Sequence, residues 1–467
     1  MMKKLLALCL SLALFTGIVH AQNYDFNDIK RASTNGIQAI KNGNEVVGYI
    51  SVIYLDNVSK KEKLYGLTIL DINLQKTHYQ EIVISKKEYL VGQAFNQKSF
   101  CFAFYDHKKK VINYRIYDLK LQEIGLLTCK DFHPSLVQNV ASRPDDDKLN
   151  MAGLYAVPNQ GFIRHGYEKN KGYKASIQMF DNSGEILWSS NTGTKGKMYE
   201  GAETYHIDEK VVLSTIMSKK SAFSSETRSY IICHSISSGE ELYRIESDDN
   251  KYQMFAYDIY MNGDKNEFIA CGEYYKTGQN ILKVKSQGFF IQVYDANDGK
   301  LKKTSLVNWS KDVAKLLPTK AKSGYKDMDV SIHKMLVTAD GKVYAIGEQF
   351  KKSVNAVGVA SQVLTSNSNV STVQVEIHDM MVFEFDSDLK LDKVEVYDKN
   401  TSKIWLPKGY GLLRGYLLAN LLKLEGDFDH CYTSITPDRN NFNSVYVDYD
   451  RINMLKGKYM IGIIGLN

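Results

Sequence analysis

A short strand-and-turn unit recurs along the sequence, and this recurrence constrains the fold more than any other feature. Its clearest copy is Phe-Phe-Ile-Gln-Val-Tyr-Asp at residues 289–295, followed by Ala-Asn-Asp-Gly. Asp or Asn at the start of a turn bonds to nearby backbone, and Gly tolerates a positive φ. A β-unit repeated at intervals of several tens of residues is typical of sheets arranged around an axis. The repeat therefore predicts an all-β fold before any site is considered.

Further copies align on the residue that begins the turn. Four of them reach Asp71, Asp118, Asp181 and Asp386, and weaker copies fit at Ser235 and Asp448. The residue before each strong aspartate is large and apolar: Leu70, Tyr117, Phe180, Tyr294 and Phe385. We expect these five side chains to be buried and each aspartate to follow a strand. The fold predicted is a β-propeller of about seven four-stranded blades, with six or eight as alternatives.

A second marker, Gly-Glu-x-aromatic-Lys, occurs at residues 272–276 and 347–351, each time upstream of a turn aspartate. A longer insertion rich in Ser, Asn and Val follows the second copy. We assign Ser361 to Val375 to an extended hairpin loop. The one helix candidate is Ser310 to Leu317, with Ser310 as its cap and Pro318 ending it.

The first residues match a secretory signal. Lys3 and Lys4 precede an apolar run, and a small-residue cleavage site ends at Ala21. We expect residues 1–21 to be removed and residues 22–467 to form a single β-propeller domain. The exported protein is expected in the periplasm, with the cell surface or the extracellular space as the alternative. No later run approaches the roughly 18 apolar residues of a membrane helix.

The composition of the chain limits the classes of partner that it can bind. The 59 basic and 53 acidic side chains leave a net charge of +6, which is weak for 467 residues and argues against nucleic acid. Six Pro beside 31 Tyr and 19 Phe describe a strand-rich chain without linkers. Cys101, Cys233 and Cys271 fall in apolar strand runs and are expected as buried free thiols. We expect a monomer.

Two places in the sequence partly match metal-binding patterns. The turn that begins at Asp295 starts like an EF-hand loop, but its glycine is at the fifth position and no acid follows at the twelfth. Asp427 and Asp429 are two residues apart, so on a strand both would lie on one face, as two metal ligands need. An exposed turn is favoured over a metal site for this segment. No HExxH, GxSxG, P-loop or phosphate-binding GxGxxG is present. We expect no catalytic motif, no metal and no cofactor.

The stretch from Asp181 to Trp188 has the pattern D-x-x-G-x-x-x-W and resembles the repeat of quinoprotein-type propellers. The resemblance implies a packing role for Trp188 and gives no reason to place a quinone. The signal, the two markers and the high Tyr content together resemble uncharacterised exported propeller-like proteins of the Bacteroidota, a domain of unknown function. That resemblance spans most of Val47 to Phe385 and implies a location without a mechanism.

Two classes of function remain open. The favoured one is a non-catalytic binding or scaffold protein that presents loops to a protein or a glycan. The alternative is a carbohydrate-active hydrolase or lyase with carboxylates at the channel mouth. A binding surface is assigned to Tyr274, Tyr275 and Tyr410, because Tyr offers amphipathic contact area, although strand packing also explains them. Two converging carboxylates with perturbed pKa values in one pocket would favour the enzyme.

Overall fold

The computed structural model describes most of the chain beyond residue 36. The described residues are 37–42, 45–133, 152–169, 172–192, 197–221, 224, 226–247, 251–281, 284–319, 325, 328–354, 373–406, 411, 413–453 and 456–465. Contacts divide the chain into two compact units. The first comprises residues 1–130, 134–154 and 182–185, and the second comprises residues 131–133, 155–181 and 186–467. The expected signal at residues 1–21 and Tyr410 lie outside the described residues.

The first unit contains two four-stranded antiparallel sheets with strands in sequence order. The first sheet consists of β1 (Ile37–Asn42), β2 (Glu45–Asn57), β3 (Glu62–Asp71) and β4 (Lys76–Ser85). The second consists of β5 (Glu88–Phe95), β6 (Ser99–Asp106), β7 (Val111–Asp118) and β8 (Glu123–Cys129). All eight residues of β6 are buried, so this strand forms part of the core of the unit.

The second unit continues the same arrangement. An eight-stranded sheet contains β9 (Leu154–Val157), β10 (Gly161–Lys169), β11 (Tyr173–Asp181), β12 (Ile186–Asn191), β13 (Tyr199–Ile207), β14 (Val211–Lys219), β15 (Thr227–Ser235) and β16 (Glu241–Glu246). Within it, β9–β12 and β13–β16 are antiparallel sets joined by one parallel pair, Tyr173 with Tyr199. A four-stranded sheet follows with β17 (Tyr252–Asn262), β18 (Glu267–Lys276), β19 (Gly288–Asp295) and β20 (Leu301–Asn308).

Two further sheets complete the second unit. One has β21 (Asp329–Val337), β22 (Val343–Val354), β23 (Val373–Phe385) and β24 (Leu391–Tyr397), and a short β25 (Ser402–Trp405) also pairs with β23. The other has three strands, β26 (His430–Ile435), β27 (Phe442–Asn453) and β28 (Lys456–Gly465). The chain is therefore all-β, as predicted from the repeat, and its sheets are built from consecutive antiparallel strands.

The helices within the described residues are short. They include a 3₁₀ turn (Gly263–Lys265), a π-helical turn (Trp309–Val313), α1 (Ala314–Leu316) and α2 (Gly415–Glu425). The expected helix at Ser310 to Leu317 is present, but the side chain of Asn308 caps it by accepting from the backbone N of Ser310 and Lys311. None of the helices in the described part of the chain is long and apolar enough to cross a membrane.

The repeated aspartates occupy the predicted turns. Strands β3, β7, β11 and β19 end at their aspartates, and Asp386 directly follows β23. The Asp118 carboxylate shows the local cause, because its Oδ1 accepts from the backbone N of Lys120 at 2.8 Å and of Gln122 at 2.9 Å. Six hairpins, at β3–β4, β7–β8, β11–β12, β15–β16, β19–β20 and β23–β24, share a register shift just before the turn. The weaker copy at Ser235 therefore belongs to the repeat.

The large residues before the turns are buried as expected. Leu70, Tyr117, Phe180, Tyr294 and Phe385 are all at most 4% exposed. Cys101, Cys233 and Cys271 are buried free thiols, which also agrees with the sequence. Trp188 packs beside a buried cluster that includes Ile177, and its Nε1 donates to the carbonyl of Ile236 at 2.7 Å.

Two assignments were wrong. Asp448 lies inside β27, where it is paired with Met460, and does not begin a turn. Its Oδ1 accepts from the backbone N of Asn400 at 2.9 Å, so a distant partner rather than a local turn determines its role. The expected loop over Ser361 to Val375 extends too far, because β23 begins at Val373 and Val375 is fully buried. The rest of that loop lies outside the described residues.

Candidate functional site

The first strands of four antiparallel strand sets in the second unit, β13–β16, β17–β20, β21–β25 and β26–β28, carry a bulge at the same relative place. The shift skips Tyr205 in β13, Tyr257 in β17, His333 in β21 and Cys431 in β26. A bulge leaves one residue outside the ladder and re-aims its side chain. Three of these residues, Tyr205, Tyr257 and His333, interact with the ionisable groups described below.

Glu203 is the accessible carboxylate of the site. It lies on β13 and is exposed to solvent, and its Oε2 accepts from the Tyr205 hydroxyl at 2.8 Å. Burial by surrounding protein nevertheless raises its pKa, as does the charge of Asp258, while Tyr205 and Lys423 oppose the shift. Glu203 therefore has many protein neighbours, although part of its side chain reaches solvent. We call Glu203, Tyr205, Asp258, Tyr416 and Lys423 the polar recess.

Helix α2 supplies the remaining two members of the polar recess. Tyr416 and Lys423 are seven residues apart and therefore lie on the same helix face. The Tyr416 hydroxyl donates to the carbonyl of Ala256 at 3.1 Å, and the Tyr205 hydroxyl approaches the same oxygen at 3.4 Å. Lys423 donates to the carbonyl of Ile332. Because these contacts reach β17 and β21, the helix joins the first strands of two sheets.

Several neighbouring groups interact favourably with the positive charge of Lys423. Its Nζ lies 4.5 Å from the centroid of the Tyr257 ring, which is a cation–π geometry. Burial lowers the pKa of Lys423, and the carboxylates of Glu203 and Asp258 act against that shift. Asp258 is itself engaged, since its Oδ2 lies 3.1 Å from the Lys334 Nζ and accepts from the backbone N of Met335 at 2.9 Å. The recess thus combines two carboxylates with the ammonium group of Lys423, and Lys334 pairs with Asp258 from outside it.

Glu273, from the second sequence marker, is a buried acid. It is 1% exposed on β18, and its Oε2 accepts from the Tyr275 hydroxyl at 2.5 Å. Burial raises the pKa of Glu273 to about 8, the nearby charge of Asp329 adds to the rise, and the Tyr275 bond opposes it. The side chain is therefore largely protonated at neutral pH. Gly272 permits this packing, because a Cβ there would lie 1.9 Å from the carbonyl oxygen of Phe255.

The equivalent residue of the other copy, Glu348, belongs to a buried ion cluster. The Lys399 Nζ lies 3.2 Å from Glu348 Oε1 and 2.5 Å from Asp429 Oδ2, and the side chains of Lys399 and Glu348 are inaccessible to solvent. Burial raises the pKa of Glu348 to about 7, and the Lys399 charge limits the rise. We call Glu348, Lys399 and Asp429 the Lys399 triad.

Two histidines stack beside the Lys399 triad. The rings of His333 and His430 are parallel within 2°, with centroids 4.7 Å apart. His333 Nε2 lies 3.2 Å from Glu348 Oε2. Burial lowers the pKa of both rings, to about 3 for His430 and well below the ordinary value for His333, and nearby Lys423 acts in the same direction. Both imidazoles are therefore neutral at physiological pH.

The sequence-assigned tyrosines do not form an open surface. Tyr274 is 4% exposed and Tyr275 is fully buried, because β18 is covered on both faces. Strand packing thus accounts for these two rings, and Tyr410 lies outside the described residues. Asp429 is not an exposed turn residue either, since its carboxylate pairs with Lys399. In the described part of the chain, no group of three His, Cys, Asp or Glu side chains is arranged to hold a metal ion.

The residues that do assemble are not predicted by any local pattern in the sequence. The Gly-Glu-x-aromatic-Lys marker predicts architecture alone, although it places Glu273 and Glu348 at equivalent buried positions. Helix α2 was missed as well. The sequence does carry an indication of this helix, because Leu occupies five of residues 415–425 and Gly426 ends the helix with φ of 68°.

The architecture defines a class: an all-β protein of repeated antiparallel sheets, similar to β-propeller proteins. Solved structures with this similarity include the β-propeller domain of the Trilobed protease from Pyrococcus furiosus, at 12% identity and a TM-score of 0.36, covering 77% of this chain and 92% of that one. The Pyrococcus horikoshii acylaminoacyl peptidase matches at 10% identity and 0.34, covering 88% and 57%. The periplasmic gluconolactonase PpgL of Pseudomonas aeruginosa matches at 9% and 0.32, covering 76% and 99%.

No curated protein matches the sequence significantly. The model of the DUF6770 family, a family of unknown function, matches residues 1–464, and the chain belongs to that family. The expected Bacteroidota origin and the similarity to quinoprotein repeats stay predictions.

Proposed function

We propose that this protein is a non-catalytic binding protein that takes a polyhydroxylated ligand, such as a glycan, at the polar recess. The accessibility of Glu203 carries the proposal, because this carboxylate combines exposure with a desolvated environment and a Tyr205 hydroxyl in hydrogen-bond contact. Sugar hydroxyls donate to carboxylates and accept from ammonium groups, and tyrosine provides both a hydroxyl and an apolar ring. The recess contains each of these groups.

Binding is favoured over hydrolysis because the recess offers one accessible carboxylate. Glycoside hydrolysis uses two carboxyl groups that both act on the substrate. Glu273 and Glu348 have raised pKa values, but they are 1% and 0% exposed. Asp258 is 6% exposed and is occupied by Lys334 and the Met335 backbone. A carbohydrate-active hydrolase or lyase is the alternative, and it requires one of these buried acids to reach the substrate.

The architecture proposed for this binding protein is a monomeric propeller of seven blades. The support is the grouping of the strands into β1–β4, β5–β8, β9–β12, β13–β16, β17–β20, β21–β25 and β26–β28, together with the hairpin register shift shared by six of these groups. Light scattering would test the monomer, and a crystal structure would test the number of blades.

Export to the periplasm is part of the proposal. It rests on the basic start, the apolar run and the cleavage site that ends at Ala21. N-terminal sequencing of the protein recovered from cells should begin at Gln22 or its cyclised form. Cys9 lies within the apolar run, and recovery of a lipid-labelled species attached through it would contradict the cleavage.

Glycan-array screening of residues 22–467 tests the function, followed by calorimetry with the glycans retained. Replacing Glu203 by Gln removes the accessible charge with little change in shape, and we expect affinity to fall at least about tenfold. Glu246→Gln, an exposed position on β16 of the same sheet, is the matched control and should bind normally. The same affinity in both variants would place the ligand elsewhere. Release of products from pooled polysaccharides that disappears in Glu203→Gln would establish the enzyme instead.

A further inference from the structure

A cavity in the first unit is separate from the polar recess. Its volume is about 220 Å³, and it lies against strands β1, β2, β5 and β6. Its wall is largely apolar and aromatic, with Ile50, Phe95, Phe100 and Phe102 as the large side chains. The rings of Phe95 and Phe100 are stacked with centroids 4.6 Å apart, and those of Phe100 and Phe102 lie 6.4 Å apart. The cavity thus has flat aromatic walls.

One polar side chain interrupts this apolar lining. Gln93 on β5 is 7% exposed, and neither its Nε2 nor its Oε1 has a hydrogen-bond partner among the described residues. A buried amide without partners is destabilising, and an apolar residue of similar shape would avoid that loss. An unpaired donor and acceptor side by side at a cavity wall point to a ligand that supplies both.

We propose that this cavity binds an uncharged aromatic molecule with an amide or lactam edge, which pairs with the carboxamide of Gln93. Such an edge offers one acceptor for Nε2 and one donor for Oε1, the complement of the glutamine side chain. None of the residues that line the cavity is charged, so a carboxylate or ammonium ligand would be desolvated without an ion partner.

The volume supports a molecule of this size. A cavity of about 150 Å³ lined by apolar side chains accommodates benzene. The 220 Å³ here leaves about 70 Å³ beyond that, which suits a polar substituent of a few heavy atoms. Ala39 is exposed and Ala94 is partly exposed, so the small side chains of the lining stand at the solvent side and leave a way in.

Benzamide is the probe, used with the complete mature chain and with toluene and benzoate as comparisons. Ligand-observed NMR should show benzamide binding, and saturating benzamide should raise the melting temperature. Gln93→Leu should lower the affinity for benzamide at least about tenfold, because Leu keeps the shape of the side chain but has no hydrogen-bonding carboxamide. Toluene should bind to this variant as well as to the wild type or better. Benzoate should bind at least about tenfold more weakly than benzamide.

Two further variants serve as a control and as a substitute in this experiment. Gln80→Leu replaces an exposed glutamine of β4 in the same unit and should leave benzamide binding unchanged. If Gln93→Leu fails to fold, Ala39→Phe at the solvent side should block benzamide instead. Absence of benzamide binding to the wild type, or equal binding by Gln93→Leu, would overturn the proposal and leave solvent as the partner of Gln93. Because Glu203 lies in the other unit, Glu203→Gln should not affect benzamide, which keeps this outcome distinct from that of the glycan screen.

Discussion

Replacing Glu273 by Gln should stabilise the protein, and the gain should grow with pH. The wild-type side chain is buried and its pKa is raised from 4.5 to about 8, so the folded protein holds a proton that the unfolded chain releases. Stability then falls as pH rises wherever the folded state binds more protons. Gln resembles the protonated acid in shape, so it can keep the Tyr275 hydroxyl contact without titrating.

The magnitude follows from the two pKa values. Below about pH 4.5 Glu273 is protonated in both the folded and the unfolded wild type, so the wild type and Glu273→Gln should have similar free energies of unfolding. Between pH 4.5 and 8 the unfolded wild type ionises while the folded wild type does not, and each pH unit costs about 1.4 kcal/mol. The difference should level off above pH 8 at about 5 kcal/mol, since both forms of the wild type are then ionised.

Urea denaturation of the wild type and Glu273→Gln at unit steps from pH 5 to pH 9 measures this difference. Glu246→Gln, at an exposed position of β16, is the matched control for the same substitution at the surface. A difference that stays constant from pH 5 to pH 9 would refute the explanation, because it would mean that Glu273 titrates alike in the folded and unfolded chain. A variant less stable than the wild type at pH 8 would refute it too, and would mean that the ionised acid stabilises the fold.

Three further variants test the repeat and the Lys399 triad. Phe385→Ala should cost about 3–5 kcal/mol in urea unfolding, because the ring is fully buried beside Phe289 in the core. Lys399→Met should cost about 3–5 kcal/mol because it leaves two carboxylates without their cation, and combining it with Glu348→Gln should recover part of that loss. Full additivity of those two substitutions would show that they do not interact. Asp118→Ala should lower stability by about 1–2 kcal/mol, since two backbone N–H groups lose their acceptor, and an unchanged melt would show that the turn forms without it.

The strand-and-turn repeat was predictable because its chemistry is local. An aspartate that accepts from backbone N–H groups two and four residues ahead needs no distant partner, and Asp118 and Asp386 both do this. The residue with positive φ is not always glycine, since Leu121 takes φ of 62°. Asp448 shows where a local pattern fails. Its carboxylate binds the backbone of Asn400, and the sequence near Asp448 gives no sign of that contact.

The candidate site could not be predicted because its members come from separate sheets. Glu203 and Lys423 are brought near each other by the packing of α2 against first strands, and no spacing in the sequence records that. The burial of Glu348 is likewise invisible in its own segment, since its partners Lys399 and Asp429 follow much later in the chain. Of these features, α2 alone could be predicted from the sequence, from its Leu-rich composition and the glycine that ends it.

The bulges of the first strands explain why Glu203 differs from the other acids. Counted from the bulge, Glu203 of β13 occupies the position that the fully buried Phe255 holds in β17. On the second strands, the residue paired just before the bulge is Ser214 in β14 and Gly272 in β18. Strand β14 therefore lacks the Gly-Glu marker and the buried acid that the marker supplies. Burying a Phe side chain contributes about 1.5–3 kcal/mol, which an exposed Glu forgoes. The equivalent position in β21 holds Ser331, which is also fully buried, so Glu203 differs from both residues in being exposed. This exposure supports the binding role proposed for Glu203.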